Sequence, residues 1–169
     1  MIITNEEQTR LETIYQAFLN DEKILRMKDI SMHRGSNCYL HSFKVAKKAI
    51  KKSLNRKDIN LEVVLLGAIL HDYYLYDWRK DKSKLKKHGK NHPGVAIENA
   101  IRDFNISEDV KGVIKSHMWP LNIKEYPKSK EAKIVSISDK AVTIGESLTS
   151  KKYKQKRLDK YLSYISHLF

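Results

Sequence analysis

The sequence predicts an all-α fold, a single-domain helical bundle. Apolar residues recur at three- and four-residue spacing in seven segments, and no segment alternates apolar and polar residues over enough length to indicate a strand. The chain has 169 residues, of which 41% are hydrophobic. Because domains typically have about 100–200 residues, this length favours one domain, residues 1–169, with its own buried core.

The predicted helices cover most of the chain. In order they are residues 5–19, about 36–54, 60–71, 93–104, 108–118, 130–148 and 152–168. The third contains LEVVLLGAIL, which is apolar nearly all round and is therefore predicted to lie centrally in the bundle. Pro93 suits a first helical position and Ser107 suits an N-cap. We expect the first helix and the basic last helix to pack on the bundle, with a peripheral arm as the alternative for the last.

The net charge is strongly positive, +13 from 33 Lys and Arg against 20 Asp and Glu, which favours anionic partners. Its distribution matters more than its size. Arg79 to Lys90 contains seven basic residues, one acid and no apolar periodicity, so we predict a loop beside the candidate site. Five lysines recur at helical spacing opposite apolar residues, and we interpret them as a solvated helix face: Lys44, Lys47, Lys48, Lys51 and Lys52.

The sequence predicts a cytoplasmic protein with no membrane partner. The N-terminus, MIITNEEQ, has acids where a signal peptide has a basic and then an apolar stretch. The longest apolar run, Val63 to Leu70, is less than half of the about 20 residues that cross a bilayer. The single cysteine, Cys38, cannot form an internal disulfide.

Histidine and aspartate side chains in three separate segments suggest a metal site. His71 and Asp72 end the central apolar helix, and His41 lies at the edge of an apolar stripe. Asp139 interrupts the inward-facing segment KIVSISDKAVTI. A buried carboxylate is costly unless it is paired or binds a cation, and mixed nitrogen and oxygen ligation suits manganese, iron, cobalt, nickel or zinc. Taken singly, a histidine of this kind is more often a hydrogen-bonded core residue, and an aspartate a helix cap or a lysine partner.

The order of these residues is similar to that of a known family. The segments CYLHSFKVAKKAI, AILHDYYLYDW and KIVSISDKA resemble the first, second and last signature helices of the HD-domain superfamily of metal-dependent phosphohydrolases, over roughly residues 33–148. The patterns HGKNHPGVAIENA and IKSHMWPL also resemble small, mostly uncharacterised bacterial members. The resemblance implies an HD-type bundle whose first metal ion is bound by His41, His71, Asp72 and Asp139.

Two further histidines are candidates for a second ion. In family members with two metals, histidines between the His-Asp pair and the last aspartate hold the second ion, and the aspartate of the pair bridges. By this resemblance His92 and His117 are second-metal ligands, so the cofactor is one or two divalent transition-metal ions. The alternative, that both histidines contact substrate phosphate or support the fold, is equally open. His88 and His33 are predicted to contact substrate.

The resemblance implies hydrolysis of a phosphate ester by metal-activated water. Asp72 would orient this water, and Lys140 and Arg79 would neutralise charge on the phosphoryl group. Asp77 is a candidate general base, with pairing to a nearby lysine as the alternative.

The predicted substrate is a nucleotide or another small phosphate ester, either a monoester or a diester. Four aromatic side chains follow the His-Asp pair, and such residues form core or pocket wall more often than they stack on a nucleobase: Tyr73, Tyr74, Tyr76 and Trp78. Two alternatives to an enzyme remain. One is a non-catalytic HD-fold signalling module that binds nucleotides or nucleic acid, and the other is a protein in which the metal is purely structural.

Overall fold

The computed structural model describes residues 3–32, 36–78, 88–148 and 154–169, with side chains in the last range described from residue 159. Within these ranges the chain forms α-helices and no strand, so the prediction of an all-α fold is confirmed. In chain order the helices are α1 (Asn5–Asn20), α2 (Glu22–Leu25), a 3-10 helix (Arg26–Asp29), α3 (Cys38–Ser53), α4 (Leu61–Leu70), α5 (His88–Phe104), α6 (Glu108–Ser116), α7 (Lys130–Leu148) and α8 (Lys154–Ile165). The sequence pattern did not predict α2 or the 3-10 helix, because four residues are too few to show a periodic stripe.

Helix α4 lies at the centre of the bundle, as predicted. Its start is fixed by Asn60, whose side-chain oxygen accepts hydrogen bonds from the next backbone N–H groups. Eight of its ten residues are buried, and it packs against α1, α3, α5, α6 and α7. Gly67 permits the close approach of α6, because a Cβ atom at this position would lie 2.5 Å from Cγ1 of Val113. This crossing places the ends of α4 and α6 side by side.

Helix α3 corrects one prediction about the lysines. Its N-cap is Asn37, whose side chain accepts from the backbone N–H of Leu40. Lys51 and Lys52 are exposed, as a solvated face requires. Lys44 is buried, with 7% exposure, so its assignment to that face is wrong. The reason is its ion pair with the buried Glu146, which compensates the cost of removing the ammonium group from water.

Helix α5 begins at His88, so the prediction that Pro93 opens it is wrong. The extra turn is held by ring stacking: the ring of His88 lies 4.6 Å from that of His92 and 4.8 Å from that of Trp78. These contacts offset the loss of one backbone hydrogen bond at the proline. His92 is therefore inside the helix and not at its N-terminus.

The end of α8 packs against α1 and α3. Tyr15 donates a 2.7 Å hydrogen bond from its hydroxyl to the carbonyl of Ile165, and Lys47 donates one of 2.7 Å to the carbonyl of Tyr164. Leu168, beyond the helix, is buried. Ser107 caps α6 through its side chain, as predicted. Among the described helices, none combines the length and the apolar character that a bilayer span requires.

Candidate metal centre

Six histidine and aspartate side chains converge beside the C-terminal end of α4, and each is at most 8% exposed. Five helices position them. His41 lies near the start of α3, and His71 and Asp72 directly follow α4. His92 lies on α5, His117 directly follows α6, and Asp139 lies on α7. The six are the metal ligands that the sequence suggested, and the fold brings all of them together.

Local hydrogen bonds fix the turn that carries the His-Asp pair. His71 is the C-cap residue of α4, and the N–H of Tyr73 donates a hydrogen bond of 3.1 Å to the carbonyl of Leu70. The thiol of Cys38 donates a hydrogen bond of 3.1 Å to the carbonyl of Asp72. The side chains of His71 and Asp72 are consequently held at the C-terminal end of α4, while the following residues leave the helix.

The first group of candidate ligands is His41, His71 and Asp139, whose ligand atoms lie within 4.8 Å of one another. Oδ1 of Asp139 is 3.1 Å from Nε2 of His41 and 3.9 Å from Nε2 of His71. Thr143, one turn after Asp139, donates a 3.2 Å hydrogen bond to the same carboxylate oxygen. We call these three residues the first ligand group.

The second ligand group is Asp72, His92 and His117, which meet the same 4.8 Å limit. Oδ1 of Asp72 is 3.2 Å from Nε2 of His92 and 3.6 Å from Nε2 of His117. Its other oxygen, Oδ2, is 3.3 Å from Nε2 of His71 in the first group. Asp72 therefore stands between the two groups with one oxygen towards each.

Three of the four histidines point the same nitrogen at the other candidate ligands for the same reason. Each hydrogen-bonds through Nδ1 to a backbone carbonyl of the preceding turn: His71 to Ala68 at 2.8 Å, His92 to His88 at 2.9 Å, and His117 to Ile114 at 2.7 Å. A carbonyl oxygen only accepts, so Nδ1 carries the hydrogen. In the neutral rings Nε2 then presents a lone pair.

These lone pairs make the residues fit a metal ion. Nε2 of His92 and Nε2 of His117 are only 2.9 Å apart. Nε2 of His71 is buried and has no hydrogen-bond partner among the described residues. Unprotonated nitrogens and carboxylate oxygens that face one another in a buried site repel unless a proton or a metal cation lies between them. Imidazole and carboxylate together suit a divalent transition-metal ion.

The carboxylates are held in their ionised form. Burial favours the neutral form of Asp72, but His71 and His92 outweigh burial and keep the pKa of its carboxyl well below its usual range. Burial likewise opposes ionisation of Asp139, and the hydrogen bond from His41 lowers its pKa nevertheless. Both are therefore charged at neutral pH, the state in which carboxylates bind metal.

The histidines differ in charge. Burial, together with repulsion from His71 and His92, lowers the pKa of His117 to about 3, so its ring is neutral at neutral pH. For His41, burial also disfavours the charged form, but hydrogen bonds with Asp139 and Glu146 raise its pKa to about 10. Burial disfavours the charged form of His71 as well, but the neighbouring Asp72 raises its pKa. A metal ion must therefore displace a proton from Nε2 of His41, and it competes with protonation of His71 in the same way.

A cavity of about 240 Å³ opens onto five of the six candidate ligands. Lys140 and His88, which the sequence suggested as charge-neutralising and substrate-binding residues, also line it. Lys140 donates hydrogen bonds to the carbonyl of His117 and to Oδ2 of Asp139. Asp77, the suggested general base, is not among the described residues that line the cavity. His33 and Arg79 lie outside the described residues.

The rest of the cavity wall is largely apolar and includes Met32, Tyr74, Trp78, Met118 and Leu121. The prediction that the aromatic cluster serves as core or wall agrees with this arrangement. Tyr74 is almost fully buried, and Trp78 stacks on His88 at the cavity. Tyr73, which does not line the cavity, is also buried.

A larger groove of about 760 Å³ lies between α1 and the chain end. It is lined mainly by neutral polar residues of α1, with Glu12 and His167 as its titratable members. None of the candidate ligands borders it. The donor chemistry, and not cavity size, therefore locates the site.

Sequence reasoning missed Glu146, which contacts His41 through Nδ1 at 3.0 Å. A signal for it exists, since residue 146 follows Asp139 by seven positions and so lies two turns along the same helix face. It also missed the contact between Thr143 and Asp139, which is one turn away. The role of Lys44 required knowledge of how α3 packs on α7.

A family model for the HD domain matches residues 38–143 of the chain. The matched region contains all six candidate ligands and ends three residues before Glu146. No curated protein and no solved structure matches the chain.

Proposed function

We propose that this chain, which belongs to the HD domain family, is a metal-dependent phosphohydrolase that acts on a small phosphate ester. One observation carries the proposal: two buried ligand groups, each made of two histidine nitrogens and one carboxylate oxygen, meet at Asp72 beside one cavity. The first group would hold one ion and the second group another. A bound divalent ion supplies an activated water and polarises a phosphoryl oxygen.

The side chains of this protein divide the remaining work. Asp72 presents an oxygen to each ligand group, so it is the residue best placed to fix both groups relative to each other. Lys140 is held at the cavity wall by the carbonyl of His117, with its ammonium group 3.3 Å from Asp139. We assign it the role of neutralising charge on the substrate phosphoryl group.

The cavity supports a compact substrate. Its volume of about 240 Å³ is smaller than the roughly 300–1,000 Å³ of pockets that enclose drug-sized ligands. Its polar lining includes members of both ligand groups and Lys140, and its apolar lining includes Trp78, Met118 and Leu121. We infer a phosphomonoester whose phosphoryl group faces the ligands and whose organic group contacts the apolar wall. A nucleoside monophosphate is one member of this class.

A phosphate-release assay tests the proposal. The protein is loaded with manganese and incubated with a panel of phosphomonoesters, including nucleoside and sugar monophosphates, and with a cyclic nucleotide as a diester. We expect release from at least one monoester, abolished by a chelator and reduced at least about 100-fold in Asp72→Asn. Asp58→Asn is the matched control, because Asp58 is an exposed partner of Lys130 away from the cavity. Metal-loaded protein that hydrolyses no ester, or an Asp72→Asn variant with native activity, would refute it.

The net charge of +13 favours a second candidate, a non-catalytic module that binds nucleic acid. In that case binding to generic RNA or DNA should weaken steeply with salt, because several phosphate contacts each release counterions. Binding that is weak and nearly independent of salt would leave hydrolysis as the better explanation of the site.

A further inference from the structure

Glu146 is the only charged side chain among the described residues that supports a candidate metal ligand from behind, on the side away from the cavity. It is 4% exposed and lies on α7 two turns after Asp139. One carboxylate oxygen, Oε2, is 3.0 Å from Nδ1 of His41. The other, Oε1, accepts hydrogen bonds of 2.6 Å from Lys44 and 2.8 Å from Ser36.

This arrangement separates His41 from the other three histidines. Those rings donate Nδ1–H to neutral backbone carbonyls within their own helix or the turn that ends it. His41 instead faces a carboxylate from a helix more than 100 residues away in sequence. A carboxylate on Nδ1 fixes the ring tautomer and makes Nε2 a stronger electron donor than a carbonyl does.

We propose that Glu146 is a positioning residue for His41 and sets the metal affinity of the first ligand group above the value that its three ligands alone would give. The proposal rests on the proposed function, since it assumes that His41 binds metal. It assigns no role to Glu146 in the second ligand group, which it does not contact among the described interactions.

The orientation of the carboxylate argues against a simple structural ion pair. Lys44 compensates the charge of Glu146 through Oε1, and Ser36 adds a hydrogen bond to the same oxygen. Oε2 is directed at Nδ1 of His41 instead. The charge of Glu146 therefore has a second partner, and that partner is a candidate metal ligand.

The C-terminal helix completes the support. The ammonium group of Lys44 lies 3.4 Å from the ring centre of Tyr161 on α8. The ring covers Lys44, which is 7% exposed, and so keeps its ion pair with Glu146 out of water. An ion pair is stronger away from water than in it. A chain of contacts thus runs from Tyr161 through Lys44 and Glu146 to His41.

The test is a manganese titration of the native protein and of Glu146→Gln, which keeps the size and one acceptor oxygen but removes the charge. Calorimetry and counting of bound ions after dialysis report both sites without relying on activity. We expect two binding events in the native protein. In Glu146→Gln one event should weaken by about 10- to 100-fold while the other is unchanged.

Two further variants separate positioning from structure. Glu131→Gln is the control on the same helix. Glu131 accepts a hydrogen bond from the backbone N–H of Asn60, which is not part of either ligand group, so both manganese affinities should stay native. The double variant Lys44→Met, Glu146→Gln replaces the buried ion pair with neutral groups, an exchange that proteins often tolerate. It should fold, with a native unfolding midpoint within a few degrees, and still show the weakened event.

The outcomes are distinct. Native protein with two events and a Glu146→Gln variant with the same two affinities would overturn the positioning role and leave the proposed function intact. Equal weakening of both events, or full recovery of affinity in the double variant, would also overturn it, because either result marks a purely structural ion pair. Native protein that binds no manganese would overturn this proposal and the proposed function together.

Discussion

The two ligand groups are built in different ways. In the second group, His92 and His117 are oriented by carbonyls of their own helices, so short stretches of sequence are enough to aim them. In the first group, His41 is oriented by Glu146 from another helix. A local anchor keeps a ligand in place whenever its helix is formed, whereas a distant anchor makes a ligand depend on tertiary packing.

Asp72 belongs to the second group and faces His71 of the first, so we expect its replacement to have the largest effect on both groups. Asp72→Ala removes the oxygen that faces each group, and we expect both manganese ions to be lost. Phosphate release should fall at least about 1,000-fold, since the charge that holds the ions and a water-orienting group are removed together. Elemental analysis of the dialysed protein measures the loss. Full metal content in Asp72→Ala would show that the ion is bound elsewhere.

Removing the second group alone should leave the first. The double variant His92→Ala, His117→Ala keeps His41, His71 and Asp139, and we expect one manganese event where the native protein shows two. The matched control is His167→Ala, a histidine outside the cavity. A native stoichiometry of one at saturating manganese would instead make His92 and His117 substrate contacts.

Gly67→Ala tests how far the second group depends on packing without touching a ligand. A Cβ atom at this position meets Cγ1 of Val113 at 2.5 Å and should push α6, which leads into His117, away from α4. We expect a loss of about 1–3 kcal/mol in the free energy of unfolding by denaturant. The second manganese event should weaken more than the first.

The control for that change is on the neighbouring helix. Gly112→Ala places its Cβ in open space within a helix, and it should leave stability equal or raise it by about 0.5–1 kcal/mol. Double replacement of Gly67 and Val113 by alanine should recover part of the loss. Equal effects of the two single changes would contradict a packing cause.

The smallest expected effect concerns the basic segment 79–90, most of which lies outside the described residues. Neutralising Arg79, Lys82 and Lys84 together should raise KM by a few-fold at low salt with little change in kcat, because binding that is equal in the ground and transition states is lost. The difference should shrink as salt screens the charges. An unchanged KM at low ionic strength would mark this segment as ordinary surface.

The features that sequence could predict are those with a local cause. The long periodic stripes gave the positions of α1 and α7, because a helix that buries one face must repeat its apolar residues, and the nearly continuous apolar run gave the position of α4. The His-Asp pair and Asp139 stood out because they interrupt apolar segments. The assignment of the six ligands to metal is still a proposal, although the fold brings them together.

The features that sequence could not predict depend on contacts between distant segments. Lys44 reads as one more lysine on a basic face until α7 places Glu146 against it, 102 positions away. The predicted start of α5 was wrong for a similar reason. The stacking of His88 between Trp78 and His92 outweighs the preference of Pro93 for a first helical position, and Trp78 lies in a different segment.

The spread of the candidate ligands over five helices, from His41 to Asp139, has a consequence for the life of the protein in a cell. An ion bound by the first group would act as a non-covalent cross-link between α3, α4 and α7, and one bound by the second group would link the end of α4 to α5 and α6. Binding to the native state alone adds about 2.7 kcal/mol when free metal exceeds its dissociation constant 100-fold. Metal scarcity would then lower resistance to proteolysis along with turnover, so the amount of intact protein would follow the metal supply.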